Sequence, residues 1–206
     1  MAATRLHLFA LAASAGLFAC LSVPRPTAPD LYALDPALAA EEPSPGAARI
    51  PIVIGAPRPA PGLEGLGMLY VPREHEVRYF ARSAWVDTPG RMLEPLLGRA
   101  LEATGAFEVI EDAPSDPRAH LRLETELRNL EQEFTRHPSQ VRLALRVRLV
   151  DSVAHRILGD REFVAVEPAP TDDPYGGVVA ANRAASLALK DVAAACRAWV
   201  SVAASP

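Results

Sequence analysis

The chain contains a single lysine, Lys190, although Lys and Arg together number 21. With no second lysine there is no Gly-Lys-Ser/Thr phosphate loop, which excludes a P-loop nucleotide hydrolase. Cysteine is almost as scarce. Cys20 and Cys196 are too few for a disulfide scaffold or a four-thiolate zinc site. Positive charge is not in excess either: 25 acidic residues against 21 basic give a net charge of -4. A nucleic-acid binder needs a clustered basic surface to neutralise phosphates, so nucleic acid is not an expected partner. What is present suits one ordinary globular domain with extended ends: 206 residues, 50% hydrophobic and 22% charged.

The N-terminus carries the most specific signal. Arg5 precedes the apolar run Leu8–Ala19, a charged region followed by a hydrophobic one. That run falls short of the ~20 residues needed to cross a bilayer as a helix. Leu17-Phe18-Ala19-Cys20 resembles a bacterial lipobox, which predicts a signal peptide over residues 1–19 and lipidation of Cys20. A diacylglycerol thioether plus an N-acyl (palmitate-type) chain gives stable anchoring, where one chain gives only marginal binding. Leu21, rather than Asp, follows the cysteine, which favours sorting to the outer membrane. Cys196, in an apolar helix, reads as a small buried hydrophobe.

Residues 20–49 read as the lipidated N-terminus and a proline-rich tether, with Pro24, Pro26, Pro29, Pro36, Pro43 and Pro45. Proline lacks the donor a central strand requires, so this stretch is expected to be extended. Leu31-Tyr32-Ala33-Leu34 is a short apolar interruption suited to docking on the domain.

The remaining residues, 50–206, form the expected domain. Ile50–Ile54 is an apolar strand, Gly55–Gly67 a Pro/Gly-rich connection, and Leu66–Val71 and Glu76–Phe80 two more strands. Pro89 and Gly90 open a helix with the stripe Leu93, Leu96, Leu97, Ala100, Leu101, closed by Gly105, with a start after Gly90 as the alternative because Pro95 lies in its first turns. Strand Phe107–Ile110 follows. Leu121, Leu123, Thr125 and Leu127 alternate with Arg122, Glu124, Glu126 and Arg128, and Val141–Leu149 alternates likewise against Arg142, Arg146 and Arg148. Arg156–Val166 is a third long strand, and a helix from Val178 to Trp199 closes the chain. These elements predict an α+β fold: an antiparallel meander of about seven strands with two helices on one face.

Catalytic and metal-binding patterns are weak. His75 in Arg73-Glu74-His75-Glu76 lacks the second histidine of a helical zinc site. Gly62-Leu63-Glu64-Gly65-Leu66-Gly67 is spaced GxxGxG and leads into a strand, unlike a dinucleotide loop. Asp172-Asp173-Pro174 lacks the spaced ligands of a calcium loop. No metal, cofactor or catalytic residue is expected. The arginine rows on the long strands could meet phosphates, but Glu124 and Glu126 offer cross-strand partners, and a salt-bridged surface is favoured.

The ordered set of motifs resembles the ABC-type transport auxiliary lipoprotein family, which includes the paraquat-inducible lipoprotein. The set is Cys20, Leu31-Tyr32-Ala33-Leu34, Ile52-Val53-Ile54 leading to Pro61-Gly62-Leu63-Glu64, Leu69-Tyr70, and Val77-Arg78-Tyr79-Phe80-Ala81-Arg82-Ser83-Ala84-Trp85-Val86-Asp87-Thr88-Pro89. The resemblance implies a non-catalytic periplasmic lipoprotein, anchored in the outer membrane through the lipid on Cys20. Its partners would be a mammalian-cell-entry domain protein and an ABC permease and ATPase, with phospholipid as the cargo class. An oligomer is compatible with that role. Tyr79 and Trp85 are the candidate docking residues, since aromatics anchor interfaces, with core packing as the alternative for each. Two rival readings keep the anchor. One is a lipoprotein assisting envelope assembly. The other is a periplasmic hydrophobic-ligand binder, which needs a pocket of ~300 Å³ or more between sheet and helices.

Overall fold

The computed structural model describes residues 28–38, 49–110 and 119–203. The signal peptide, Cys20 and residues 39–48 of the tether lie outside the described residues. In chain order the elements are β1 (Asp30–Tyr32), β2 (Ile50–Val53), β3 (Arg58–Pro59), β4 (Gly67–Arg73), β5 (Glu76–Trp85), α1 (Pro89–Ala103), β6 (Phe107–Ile110), β7 (Leu121–Glu133), β8 (Gln140–Asp151), β9 (Arg156–Pro168) and α2 (Pro174–Ala203).

Strand β7 organises the sheet. Along one edge it pairs antiparallel with β8 over its whole length, and β8 pairs antiparallel with β9. Along the other edge three short strands follow one another, all parallel to β7. Ile52 of β2 lies opposite Leu121, Arg58 of β3 opposite Glu126, and Leu69 of β4 opposite Glu131. The 9-stranded sheet is therefore mixed, not an antiparallel meander of about seven strands. The periodicity of a strand shows which residues share a face but is silent on the direction of its neighbours. The Pro/Gly-rich connection hides the rest: it holds β3 and stays on the edge until Ala60, whose N–H donates to the Leu127 carbonyl at 2.8 Å.

A register shift between Leu127 and Asn129 reverses the facing of β7 beyond Arg128. It turns Leu130 and Gln132 into the core and leaves Glu131 and Glu133 on the other side, so the strand runs on to Glu133 rather than ending at Arg128. Strand β5 likewise continues to Trp85, past the expected end at Phe80.

Both helices share one apolar cluster with the inward residues of the sheet, among them Leu127, Leu143, Leu145, Val147 and Leu149. Helix α1 starts at Pro89, where the sequence opens it, because proline is well suited to the first helical position. Pro95 is accommodated on the exposed side. Helix α2 starts at Pro174 rather than Val178, and Asp173 caps it: its Oδ1 accepts from the Gly176 N–H at 2.7 Å. The inward side of α2 is lined by Ala180, Ala181, Ala184, Ala185 and Ala188, small residues that bring the helix close to β8 and β9.

Candidate functional site

The domain begins earlier than residue 50. Residues 30–38, assigned from the sequence to the tether, lie on the domain. Asp30, Leu31 and Tyr32 pair parallel with Ser83, Ala84 and Trp85 at the edge of β5. Beyond them the chain becomes a strap over the helices. The Asp35 N–H donates to Asn182 Oδ1 at 2.6 Å, Asn182 Nδ2 donates to the Ala33 carbonyl at 3.3 Å, and Ser186 Oγ donates to the Ala37 carbonyl at 2.7 Å. Arg99 of α1 pairs with Asp35 at 3.6 Å, and Leu34 is buried. Sequence reasoning missed Asn182 and Ser186. Their signal is a pair of polar residues four apart, one helical turn, on an otherwise apolar helix.

The two candidate docking aromatics separate. Trp85 is 4% exposed and packs in the core, the alternative the sequence offered for it. Tyr79 is 51% exposed; its hydroxyl donates to the Gly62 carbonyl at 2.8 Å, and its ring covers Gly67, where a β-carbon would collide with it. Across the sheet, Tyr70 stacks on Phe80 at 4.4 Å between ring centroids, and Phe134 meets Tyr70 edge-on at 5.8 Å. The β4–β5 hairpin is thereby a stiff, aromatic-backed projection. Its tip turns at His75, which has φ 65°.

The outer face of β7, β8 and β9 is a lattice of ion pairs. Arg146 donates to Asp160 at 2.9 Å, Arg148 to Asp160 at 3.1 Å, Arg128 to Glu162 at 3.2 Å, and Arg58 to Glu126 at 3.3 Å. Arg148 also approaches Glu124 at 3.7 Å. Four guanidinium groups thus meet four carboxylates, so these arginines are already engaged in ion pairs. The hydrogen bond from Arg146 is the main cause that lowers the Asp160 carboxyl to about 2. Nearby, burial followed by repulsion from Glu133 raises the Glu131 carboxyl.

Behind the hairpin a cleft lined by Phe80, Trp85, Leu130, Gln132, Val141 and Gly177 offers about 10 Å³, room for a single water. A surface groove of about 330 Å³ runs past Pro95, Gly98, Arg99, Glu102 and Val109. Its charged walls and position outside the core do not suit an acyl chain. At the foot of α2, Asp172 accepts from the Ser139 N–H at 2.6 Å and pairs with His137 Nδ1 at 3.0 Å. Ser139 is fully buried and its hydroxyl accepts from Gln132 Nε2 at 2.9 Å, so this Ser/His/Asp group braces the β7–β8 turn and presents no free nucleophile. Among the described residues no group of three or more His, Cys, Asp or Glu side chains could hold a metal, and no helix is long and apolar enough to cross a membrane. Cys196 is buried, and burial pushes its thiol up to about 12.

A family model described as ABC-type transport auxiliary lipoprotein component matches residues 32–194. No curated protein sequence matches the chain. Among solved structures, a Xanthomonas campestris protein of the DUF330 family is similar with TM-score 0.67 at 18% identity, covering 79% of this chain and 91% of that one. A second, uncharacterised protein gives TM-score 0.66 at 13% identity over 82% of this chain and 99% of the other. A hypothetical protein from Chlamydia trachomatis gives 0.53 at 9% identity, covering 74% and 98%. At these identities the likeness concerns the fold.

Proposed function

This chain belongs to the ABC-type transport auxiliary lipoprotein family, and from that premise we propose that it is a non-catalytic, outer-membrane-anchored component of a lipid transport system of the mammalian-cell-entry type. The lipid on Cys20 holds it to the periplasmic side of the outer membrane. The domain docks a mammalian-cell-entry protein and, through it, an inner-membrane ABC permease and ATPase that move phospholipid. Tyr79, exposed on the stiff β4–β5 hairpin, is the residue proposed to anchor that contact. The supporting observation is a family match across almost the whole domain on a core whose cleft offers only about 10 Å³. A core cleft of that size, among the described residues, suits positioning partners rather than enclosing cargo.

In-cell cross-linking, membrane purification and mass spectrometry of the captured proteins test this reading. Recovery of a mammalian-cell-entry protein with its permease supports it. Recovery of envelope-assembly proteins instead overturns it in favour of that role, and recovery of a lipid with no protein overturns it in favour of a ligand binder. Cys20→Ala is expected to release the chain from membranes or leave its signal peptide uncleaved. A processed variant that stays membrane-bound as before overturns the anchor.

A further inference from the structure

Strand β9 is the last strand on its side of the sheet: among the described residues it pairs with β8 and with no other strand. Half of its backbone N–H and C=O groups therefore point away from the sheet, a template for another strand. One part of that edge is regular. The pairing with β8 shifts register between Ile157 and Gly159, where the indole of Trp199 also lies, but runs unbroken from Asp160 to Pro168. Along this stretch Phe163 and Ala165 are buried in the core, while Val164 is 51% exposed and Val166 38% on the outer face.

Charges on an edge strand ordinarily oppose pairing. Here Arg161 and Glu167 alternate onto the same face as Phe163 and Ala165. Neither has an ion-pair partner among the described residues; Arg161 lies over the Phe163 ring, 5.1 Å from its centroid. A second β9 can match them in one register. A dyad normal to the sheet has to pass through two copies of one residue, because directly opposite residues share a face. Centred on Arg161 or Glu162, it sets like charges opposite each other. Centred on Phe163 or Ala165, it leaves Arg161 and Glu167 without a counter-charge. Centred on Val164, it sets Arg161 opposite Glu167 of the second copy, twice, and Phe163 opposite Ala165. The two Val164 side chains then meet on the outer face. Helix α2 lies against β8 and β9 alike, and a helix centred between those strands stands about 10 Å from its dyad mate, an ordinary spacing for packed helices.

We propose that β9 is a homodimer interface: a second copy of this chain adds its own β9 antiparallel to Asp160–Pro168, with the dyad at Val164, and carries the sheet on from one domain into the next. The occupant is a second copy because its charges complement those on the edge, whereas a strand lacking them would cover Arg161 and Glu167 unpaired. The interface does not depend on the lipid anchor. The β4–β5 hairpin lies across β7 from this edge, so a dimer leaves both copies of Tyr79 outside the contact.

The test uses the full chain as expressed, held in a mild detergent, with its protein mass read by analytical ultracentrifugation. The parent chain is expected as a dimer. Arg161→Glu or Glu167→Arg alone sets like charges opposite at both ends of the register and should raise the dimer dissociation constant about tenfold. The double variant, which exchanges the two charges, should restore it. A cysteine at Val164 lies within about 5 Å of its mate across the dyad, so oxidised Val164→Cys should run at twice the chain mass. Ile157→Cys, outside the register, should not. Cys196 is buried, and the oxidised parent chain gives the background from Cys20. A parent that stays monomeric throughout the micromolar range, single reversals without effect, or a double reversal without rescue overturns the interface. A dimer that cross-links through position 157 and not 164 overturns the register. Cross-linking of Val164→Cys in cells to a different protein overturns the second copy as occupant, in favour of a partner's strand.

Discussion

The side-chain amide of Gln132 lies against the bare Cα of Gly177, where a β-carbon would overlap its oxygen. Gln132 is almost fully buried, and its Nε2 donates to Ser139 Oγ at 2.9 Å and to the Asp173 carbonyl at 3.2 Å. The amide therefore clamps the end of β7 to the β8 start and to the cap of α2. Gly177→Ala is expected to push the amide out of both bonds and to cost about 1–3 kcal/mol, the range for stranding buried polar groups. The check is a double-mutant cycle on denaturant midpoints. In a Gln132→Ala background the cost of Gly177→Ala should shrink sharply; strictly additive losses would show that the two residues do not act together.

A second glycine is fixed by a ring. The indole of Trp199 lies on Gly159, and a β-carbon at that position would fall inside it. Phe163 meets the same indole at 6.4 Å between centroids. Trp199 is half-buried and Trp85 is fully enclosed, so Gly159→Ala should shift the emission of the exposed-side tryptophan to longer wavelength and cost about 1–3 kcal/mol of stability by overpacking. Unchanged emission would show that α2 does not rest on β9 through this contact.

The two helices and the alternating faces of β7 and β8 were legible in the sequence, because periods of 3.6 and 2 write burial directly into residue order. Leu121 to Leu127 and Val141 to Leu149 point where their alternation says they should. The parallel edge was not legible. Arg58 and Pro59 have neither the length nor the composition of a strand, and they pair with β7 only because that long strand offers them its edge. Nor was the inward turn of Gln132 legible, since it depends on a one-residue bulge at Arg128. For the site, alternation placed the outer-face arginines and acids together. It could not separate Tyr79 from Trp85: both are aromatics in one strand, and the bulges of β5 rather than its sequence decide which is covered.

The strap makes Asn182 a structural joint. Its side chain accepts from the Asp35 N–H and donates to the Ala33 carbonyl at 3.3 Å and to the Val178 carbonyl at 3.0 Å. Asn182→Ala should free residues 33–37 while leaving the sheet intact. The expected stability loss is about 1–2 kcal/mol, with faster cleavage by an elastase-type protease at Ala33 and Ala37. Equal cleavage rates in both proteins would mean that burial of Leu34 alone holds the strap.

Acid stability should depend on two carboxylates at opposite ends of β8. Asp172 is lowered to about 2 chiefly by the Ser139 N–H, and Asp160 to about 2 chiefly by Arg146. Each prefers to be ionised in the folded chain more than in the unfolded one, where its value is near 3.8. The unfolded state therefore takes up protons first as pH falls. The stabilisation is complete well above pH 4, declines below it, and is gone once the pH has passed through the folded value near 2. Denaturant midpoints between pH 6 and pH 2 should show that decline in the parent protein and a shallower one in Asp172→Asn and in Asp160→Asn. The two variants also differ in salt response: Asp160 lies in an exposed lattice that ions screen, whereas Asp172 is held mainly by a backbone N–H. Added salt should narrow the gap between parent and Asp160→Asn and leave the gap to Asp172→Asn nearly unchanged. A parent midpoint that stays flat to pH 2 would refute the assignment of both carboxylates.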